Sequence, residues 1–170
     1  MAYLYQVILS ASTYPSPVGS LYLLANDHYL LQLLFTAPPD QNGVVQRENY
    51  IIRQAKQELA DYFDGTLTVF QTPLQFEGTD FRMRVWQQLQ KIPFGNTISY
   101  LTLAKKLGDS KCIRAAGSAN GRNPIAIIVP CHRVIGNHGS LVGYAGELWR
   151  KRWLLEHEAR VAHGIQTLFE

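Results

Sequence analysis

Apolar and polar positions change their period along this chain. MAYLYQVILSAS, residues 1–12, alternates with the period of a strand. Two further apolar runs, Val18–Ala25 and Tyr29–Phe35, flank Asn26-Asp27, which is hairpin chemistry. Residues 1 to about 35 are therefore predicted as strands, and Ala37–Gly43, with two prolines and a glycine, as a loop. Between Arg47 and Asp64 the period becomes helical: Ile51, Ile52, Ala55, Leu59, Tyr62 and Phe63 share a face, and Gly65 is a natural stop. Nothing in this first half looks catalytic.

Thr66–Asp80 is a connector of polar residues, proline and glycine. Beyond it, Thr79 or Asp80 can cap a helix carrying Phe81, Val85, Trp86, Leu89 and Ile92, which Pro93-Phe94-Gly95-Asn96 ends. A short helix follows over Ser99–Asp109, then a tight turn and a second helix over Lys111–Asn120, the form of a helix-turn-helix. The second helix is rich in small residues, which suit either close packing in a core or close approach to another surface. Gly121–Pro124 breaks it, and the proline makes Asn123 a hinge. A final helix runs from about Glu147 past Glu158, with Leu148, Trp149, Trp153, Leu154, Leu155 and Ala162 as apolar positions. The fold class is α/β (α+β). A small N-terminal α/β domain with a β-sheet spans residues 1–75. A mainly helical C-terminal domain with the helix-turn-helix spans residues 76–170.

A hydrophobic content of 46% over 170 residues fits one sizeable core or two small ones and excludes a disordered chain. No apolar stretch approaches the roughly 20 residues of a membrane span, and the N-terminus lacks the pattern of a signal peptide, so a cytoplasmic location is expected. The net charge of +3 is unevenly shared. Residues 1–80 hold 3 basic and 8 acidic residues, net −5, and residues 81–170 hold 13 and 5, net +8. The second half would face an anion: a nucleic acid, or merely solvent.

The two cysteines, Cys112 and Cys131, form no CxxC, and the five histidines show no metal spacing, so no metal site is expected. Cys112 reads as a small buried hydrophobe. Cys131 is different. The apolar run Ile125–Val129 delivers the chain to Pro130-Cys131-His132-Arg133-Val134-Ile135. Proline suits the first position of a helical turn, and free N–H groups there would favour a thiolate. His132 offers a base, though adjacent side chains need a turn or a bridging water to share a proton. The segment reads as an activated nucleophile. The following Gly136–Gly146 loop is rich in glycine and could lie against a flat ligand.

Several segments occur in one order: Phe94-Gly95-Asn96-Thr97-Ile98-Ser99-Tyr100, the helix of Arg114, Asn123-Pro124, Pro130-Cys131-His132-Arg133-Val134, Gly143-Tyr144-Ala145-Gly146 and Leu154-Leu155-Glu156-His157-Glu158. This order resembles the O6-alkylguanine-DNA alkyltransferases, the methylated-DNA–protein-cysteine methyltransferases, closely over residues 75–160. It is weaker before that, where Ser16-Pro17-Val18-Gly19 is similar to bacterial members.

The resemblance implies direct repair of O6-alkylguanine in double-stranded DNA, with O4-alkylthymine as a secondary substrate. The alkyl group moves irreversibly to Cys131, once per molecule and without a cofactor. His132 would take the thiol proton through a water, Glu158 would orient the histidine, and Asn123 would brace the turn between the DNA-reading helix and the cysteine. Arg114 would fill the place of the flipped nucleotide, on a DNA-binding helix that includes Ala115, Ser118, Ala119 and Asn120. Tyr100 would stand near the target base. Tyr144, Ala145 and Gly146 would cover that base and, with Val134, form its pocket. Zinc ligands of some relatives cannot be assembled, because both cysteines are in the C-terminal half, so the N-terminal domain reads as scaffold. Relatives often carry glycine where Glu147 stands; this carboxylate either affects DNA binding or opens the last helix. The protein is expected to act as a monomer. Rival readings are a lesion sensor that does not repair, a thiol hydrolase using Cys131, His132 and Glu158, and a transcriptional regulator using the helix-turn-helix alone.

Overall fold

A computed structural model describes residues 8–164. Most of the predicted N-terminal alternation, residues 1–7, lies outside the described residues. From Leu9 the alternation forms β1 (Leu9–Ser16), which turns through Pro17-Val18 into β2 (Gly19–Ala25). The two pair antiparallel from Ser10↔Ala25 to Ser16↔Gly19. Gly19 takes φ +96°, a conformation that favours glycine. The side chain of Asn26 accepts from the backbone N–H groups of His28 and Tyr29 at 2.9 and 2.7 Å, which closes the hairpin into β3 (Leu30–Leu34). Between the loop read at Ala37–Gly43 and the first helix lies a short strand, β4 (Val44–Gln46), parallel to β1, so the sheet order is β3-β2-β1-β4.

Helix α1 (Tyr50–Phe63) starts three residues later than its apolar period suggests. The reason is local: the Asn49 side chain caps it by accepting from Ile52 N at 3.0 Å. Ile52, Ala55 and Leu59 are fully buried in one core with Leu21, Leu23 and Leu33 of the sheet. The connector after α1 is irregular but fastened. Glu58 on α1 accepts from the backbone N–H groups of Gln71 and Thr72 and from the Thr72 hydroxyl.

Beyond the connector, α2 (Asp80–Leu89) is capped by Thr79, β5 (Ile98–Ser99) leads into α3 (Tyr100–Lys106), and α4 (Ile113–Gly121) follows a short 3-10 turn. Ala116 and Ala119 of α4 are buried, and the Trp86 indole of α2 donates to the Ala119 carbonyl at 3.0 Å. Two of the five small residues from Ala115 to Ala119 are thus core packing. Strand β6 (Val134–Ile135) pairs parallel with β5, and α5 (Leu148–His163) closes the chain.

The two halves share a sheet edge. Leu33 on β3 donates to the Pro124 carbonyl and accepts from Ala126 N, both at 2.9 Å. The outer edge of the N-terminal sheet therefore holds the segment that leads to Cys131. Among the described residues, no helix is long and apolar enough to cross a membrane.

Candidate active site

Cys131 lies in a three-residue 3-10 turn, Cys131–Arg133, not at the start of an α-helix. Its N–H donates to Val129 O at 2.8 Å. The expected helix dipole is therefore missing, and the thiol is not primed by it. Burial pushes the Cys131 thiol up, against the opposing effects of the Asn123 and Tyr144 side chains and the Lys151 ammonium. The resting group is a protonated thiol that needs a base.

That base is arranged through its far side. His132 is fully buried, and its Nε2 lies 2.7 Å from Glu158 Oε1. An ionised carboxylate only accepts, so Nε2 carries the proton and Nδ1 is left as the basic lone pair. Nδ1 is buried with no protein hydrogen-bond partner. Burial lowers the pKa of His132 despite the pull of Glu158, so the ring is neutral near pH 7. A neutral imidazole with a free basic nitrogen can receive the proton of a neighbouring thiol.

Glu158 is the most heavily bonded side chain of the site. Burial works against its charge, but His132 and Arg133 outweigh it and hold the carboxyl well below the usual range. Arg133 donates through Nε to Oε2 and through Nη2 to Oε1, both at 2.9 Å, a bidentate grip. Gly95 N donates to Oε2 at 3.1 Å. The Tyr62 hydroxyl, from α1, donates to Oε1 at 2.9 Å. A side chain from the N-terminal part thus supports the Glu158 carboxylate. Tyr62 carried no signal of its own, since it fitted the apolar face of a helix, and Arg133 stood in the cysteine motif with no role assigned to it.

The segment from Asn123 to Val129 is an arch. The Asn123 amide donates to Ile125 O at 3.2 Å and Val129 O at 2.8 Å, and its oxygen accepts from Ile125 N at 3.0 Å. Within the arch Ile127 has φ +68°, a strained conformation for a β-branched residue.

A cavity of about 200 Å³ opens beside Cys131, lined among others by Asn120, Asn123, Tyr144, Ala145 and Gly146. The Tyr144 hydroxyl is buried beside the thiol. Tyr100, at the start of α3, directs its hydroxyl to the Gly143 carbonyl at 3.3 Å and lines an adjoining open groove with Tyr144 and Ala145. Val134 is fully buried in β6 and is not among the residues lining the cavity. On α4, Arg114, Ala115 and Ser118 are exposed. Ala119 and Asn120 face inward, and Asn120 Nδ2 donates to Cys131 O at 3.3 Å, so these two do not share the outer face of Arg114.

Sequence reading also passed over Lys151. Its buried ammonium donates to Val134 O at 2.7 Å and Val142 O at 3.0 Å and lies 5.9 Å from the Tyr144 ring centroid. Burial lowers its pKa to about 8, opposed by Cys131. It ties the glycine-rich loop to β6 and sets a positive charge near the thiol. Glu147 precedes α5 with φ +72° and makes no cap; its carboxylate instead accepts from the Trp149 indole at 2.7 Å.

Residues 9–76 match the family described as 6-O-methylguanine DNA methyltransferase, ribonuclease-like domain, and residues 80–160 match its DNA binding domain. A methylated-DNA–protein-cysteine methyltransferase of Mycolicibacterium paratuberculosis is 44% identical over 161 residues, covering 93% of this chain and 97% of the relative. One from Methanosarcina acetivorans is 43% identical, covering 85% and 95%. The crystal structure of Mycobacterium tuberculosis OGT in complex with DNA superposes with a TM-score of 0.84 at 43% identity, covering 90% of this chain and 94% of that one.

Proposed function

This chain belongs to the 6-O-methylguanine DNA methyltransferase family, and from that premise we propose that it repairs DNA by moving the alkyl group of O6-alkylguanine onto Cys131. The observation that carries this reading is the pairing of His132 Nε2 with Glu158 at 2.7 Å. Glu158 occupies Nε2 and leaves buried Nδ1 as a base next to a protonated, buried thiol.

The step balances without a cofactor. The thiol proton passes through a bridging water to Nδ1 of His132. The sulfur then attacks the alkyl carbon, an S–C bond forms, and the C–O6 bond breaks. Guanine leaves with the electron pair, its ring stabilised by the Tyr100 hydroxyl. Glu158 and Arg133 meet the charge that develops on His132. The product is a thioether with no easy leaving group, so each molecule acts once.

The cavity cannot be reached by a base within a stacked duplex, so the damaged nucleotide is flipped, at reduced cost because its pairing is weakened. Arg114 replaces that nucleotide from the minor groove, a role supported by its exposure on α4 beside the small, exposed side chains of Ala115 and Ser118. The Tyr144–Gly146 loop covers the base, and Asn123 braces the arch before the cysteine. O4-alkylthymine is the secondary substrate. The DNA-handling and alkyl-accepting part is residues 76–170, the N-terminal part is residues 1–75, and the protein acts as a cytoplasmic monomer.

The test is mass spectrometry after mixing with one equivalent of duplex containing O6-methylguanine. The expected result is a gain of one methyl group on Cys131, and no gain with Cys131→Ala, which still binds the duplex. Binding without any mass gain would make the protein a lesion sensor and overturn the repair function.

A further inference from the structure

The cavity beside Cys131 has an apolar wall on the side of the N-terminal sheet. Leu34 and Phe35, at the end of β3, line it together with Ala126, Tyr144 and Gly146. The Phe35 ring lies edge-on to Tyr144, with centroids 5.9 Å apart and planes at 63°. A Cβ on Gly146 would come within 2.4 Å of it. The ring is also pinned. The Arg150 guanidinium lies over it at 5.1 Å, while Arg150 Nε donates to Val18 O at 2.8 Å and Nη1 to Gly146 O at 3.1 Å. Arg150 thus joins the β1–β2 turn, the aromatic wall and the active-site loop.

We infer that Phe35 is a specificity-determining residue: its ring receives the outer carbons of alkyl groups larger than methyl and favours their transfer. This rests on the function proposed above. A methyl carbon extends one bond from O6 and ends at the sulfur. The far carbons of a larger group must go beyond it, into the cavity that Ala126, Leu34 and Phe35 line together with Cys131. Placing apolar carbons there removes them from water, and an aromatic wall suits a flat group such as benzyl. The displacement is unchanged: sulfur takes the benzylic carbon and guanine leaves with the electron pair.

The experiment compares wild type, Phe35→Ala and Phe35→Leu in single-turnover transfer from O6-methylguanine and O6-benzylguanine in the same duplex, followed as mass gain on Cys131. Phe35→Ala is expected to lower the benzyl-to-methyl rate ratio about tenfold and Phe35→Leu about threefold, with methyl transfer within about threefold of wild type. A ratio that stays constant in both variants overturns the inference. A ratio that rises also overturns it, because the ring is then a barrier. If Phe35→Ala does not fold, an unchanged ratio in Phe35→Leu overturns it alone. Wild type that takes methyl but no benzyl overturns it while leaving the repair function intact. Wild type that takes no methyl overturns the repair function, and this inference with it.

Discussion

The hydroxyl of Tyr62 and the carboxylate of Glu158, 96 positions apart in the chain, meet at 2.9 Å in the interior. One belongs to the helix that packs on the N-terminal sheet, the other to the last helix. Their contact makes the N-terminal domain a supporting partner of the group that orients His132. Tyr62→Phe removes that donor and little else. A buried hydrogen bond to a charged group contributes about 1.5–3 kcal/mol, so the unfolding free energy should fall by that amount. Methyl transfer should slow several-fold, because Glu158 is left less firmly placed. Urea denaturation and single-turnover kinetics check both. A variant as stable and as fast as wild type would show that the hydroxyl is idle.

The Asn123 arch carries its own expectation. Three hydrogen bonds from one side chain hold a segment in which Ile127 is strained. With each bond contributing about 0.5–1.5 kcal/mol, Asn123→Ala should destabilise the protein by about 2–4 kcal/mol. Transfer should fall more than DNA binding, since Cys131 follows the arch directly while the outer face of α4 does not depend on it. Thermal melts and gel-shift titrations measure the two separately. Equal losses in transfer and binding would contradict the positioning role.

Acidification should weaken the fold in two stages. His132 has a folded-state pKa below its ordinary value near 6.5, so the unfolded chain takes up the proton first and stability falls as pH drops through about 6.5. His157, buried and lowered in the same direction, adds to this stage. Glu158 is held well below the ordinary value near 4.5, so its contribution, complete above that value, is lost as pH falls beneath it. Urea midpoints at about pH 7.5, 6, 5 and 4 should decline throughout. A midpoint that rises between about pH 7.5 and 5 would mean that His132 is charged in the folded protein.

Arg114 offers a test that separates flipping from chemistry. Its side chain is exposed on α4 and makes no part of the Cys131 environment. Arg114→Ala should slow repair in duplex DNA by at least about tenfold, since flipping requires a few kcal/mol of unstacking. Reaction with the free O6-alkylguanine base should change by less than about twofold. Comparable losses on both substrates would remove Arg114 from the flipping step.

The sequence by itself determined the elements whose signals are local. Periodicity located the β2–β3 hairpin, α1, α2, α5 and the helix pair α3–α4, because side-chain spacing and capping act within a few residues. The motif around Cys131 singled out the thiol and its histidine, and its order relative to Asn123 and Glu158 carried the family resemblance. What remained hidden depends on distance. The start of α1 was set by the Asn49 cap rather than by apolar period, and β4 is too short to show one. The thiolate expected at a helix start gave way to a protonated thiol, because only packing reveals a 3-10 turn buried in an apolar arch. Tyr62, Phe35, Lys151 and Arg150 look ordinary in sequence, and Arg133 stands in the cysteine motif without its carboxylate partner being visible. Each acquires its role from a partner distant in the chain: a carboxylate, a carbonyl or another ring. Local patterns encode which elements form, whereas the charge of a buried group and the shape of its cavity are properties of every element packed around it.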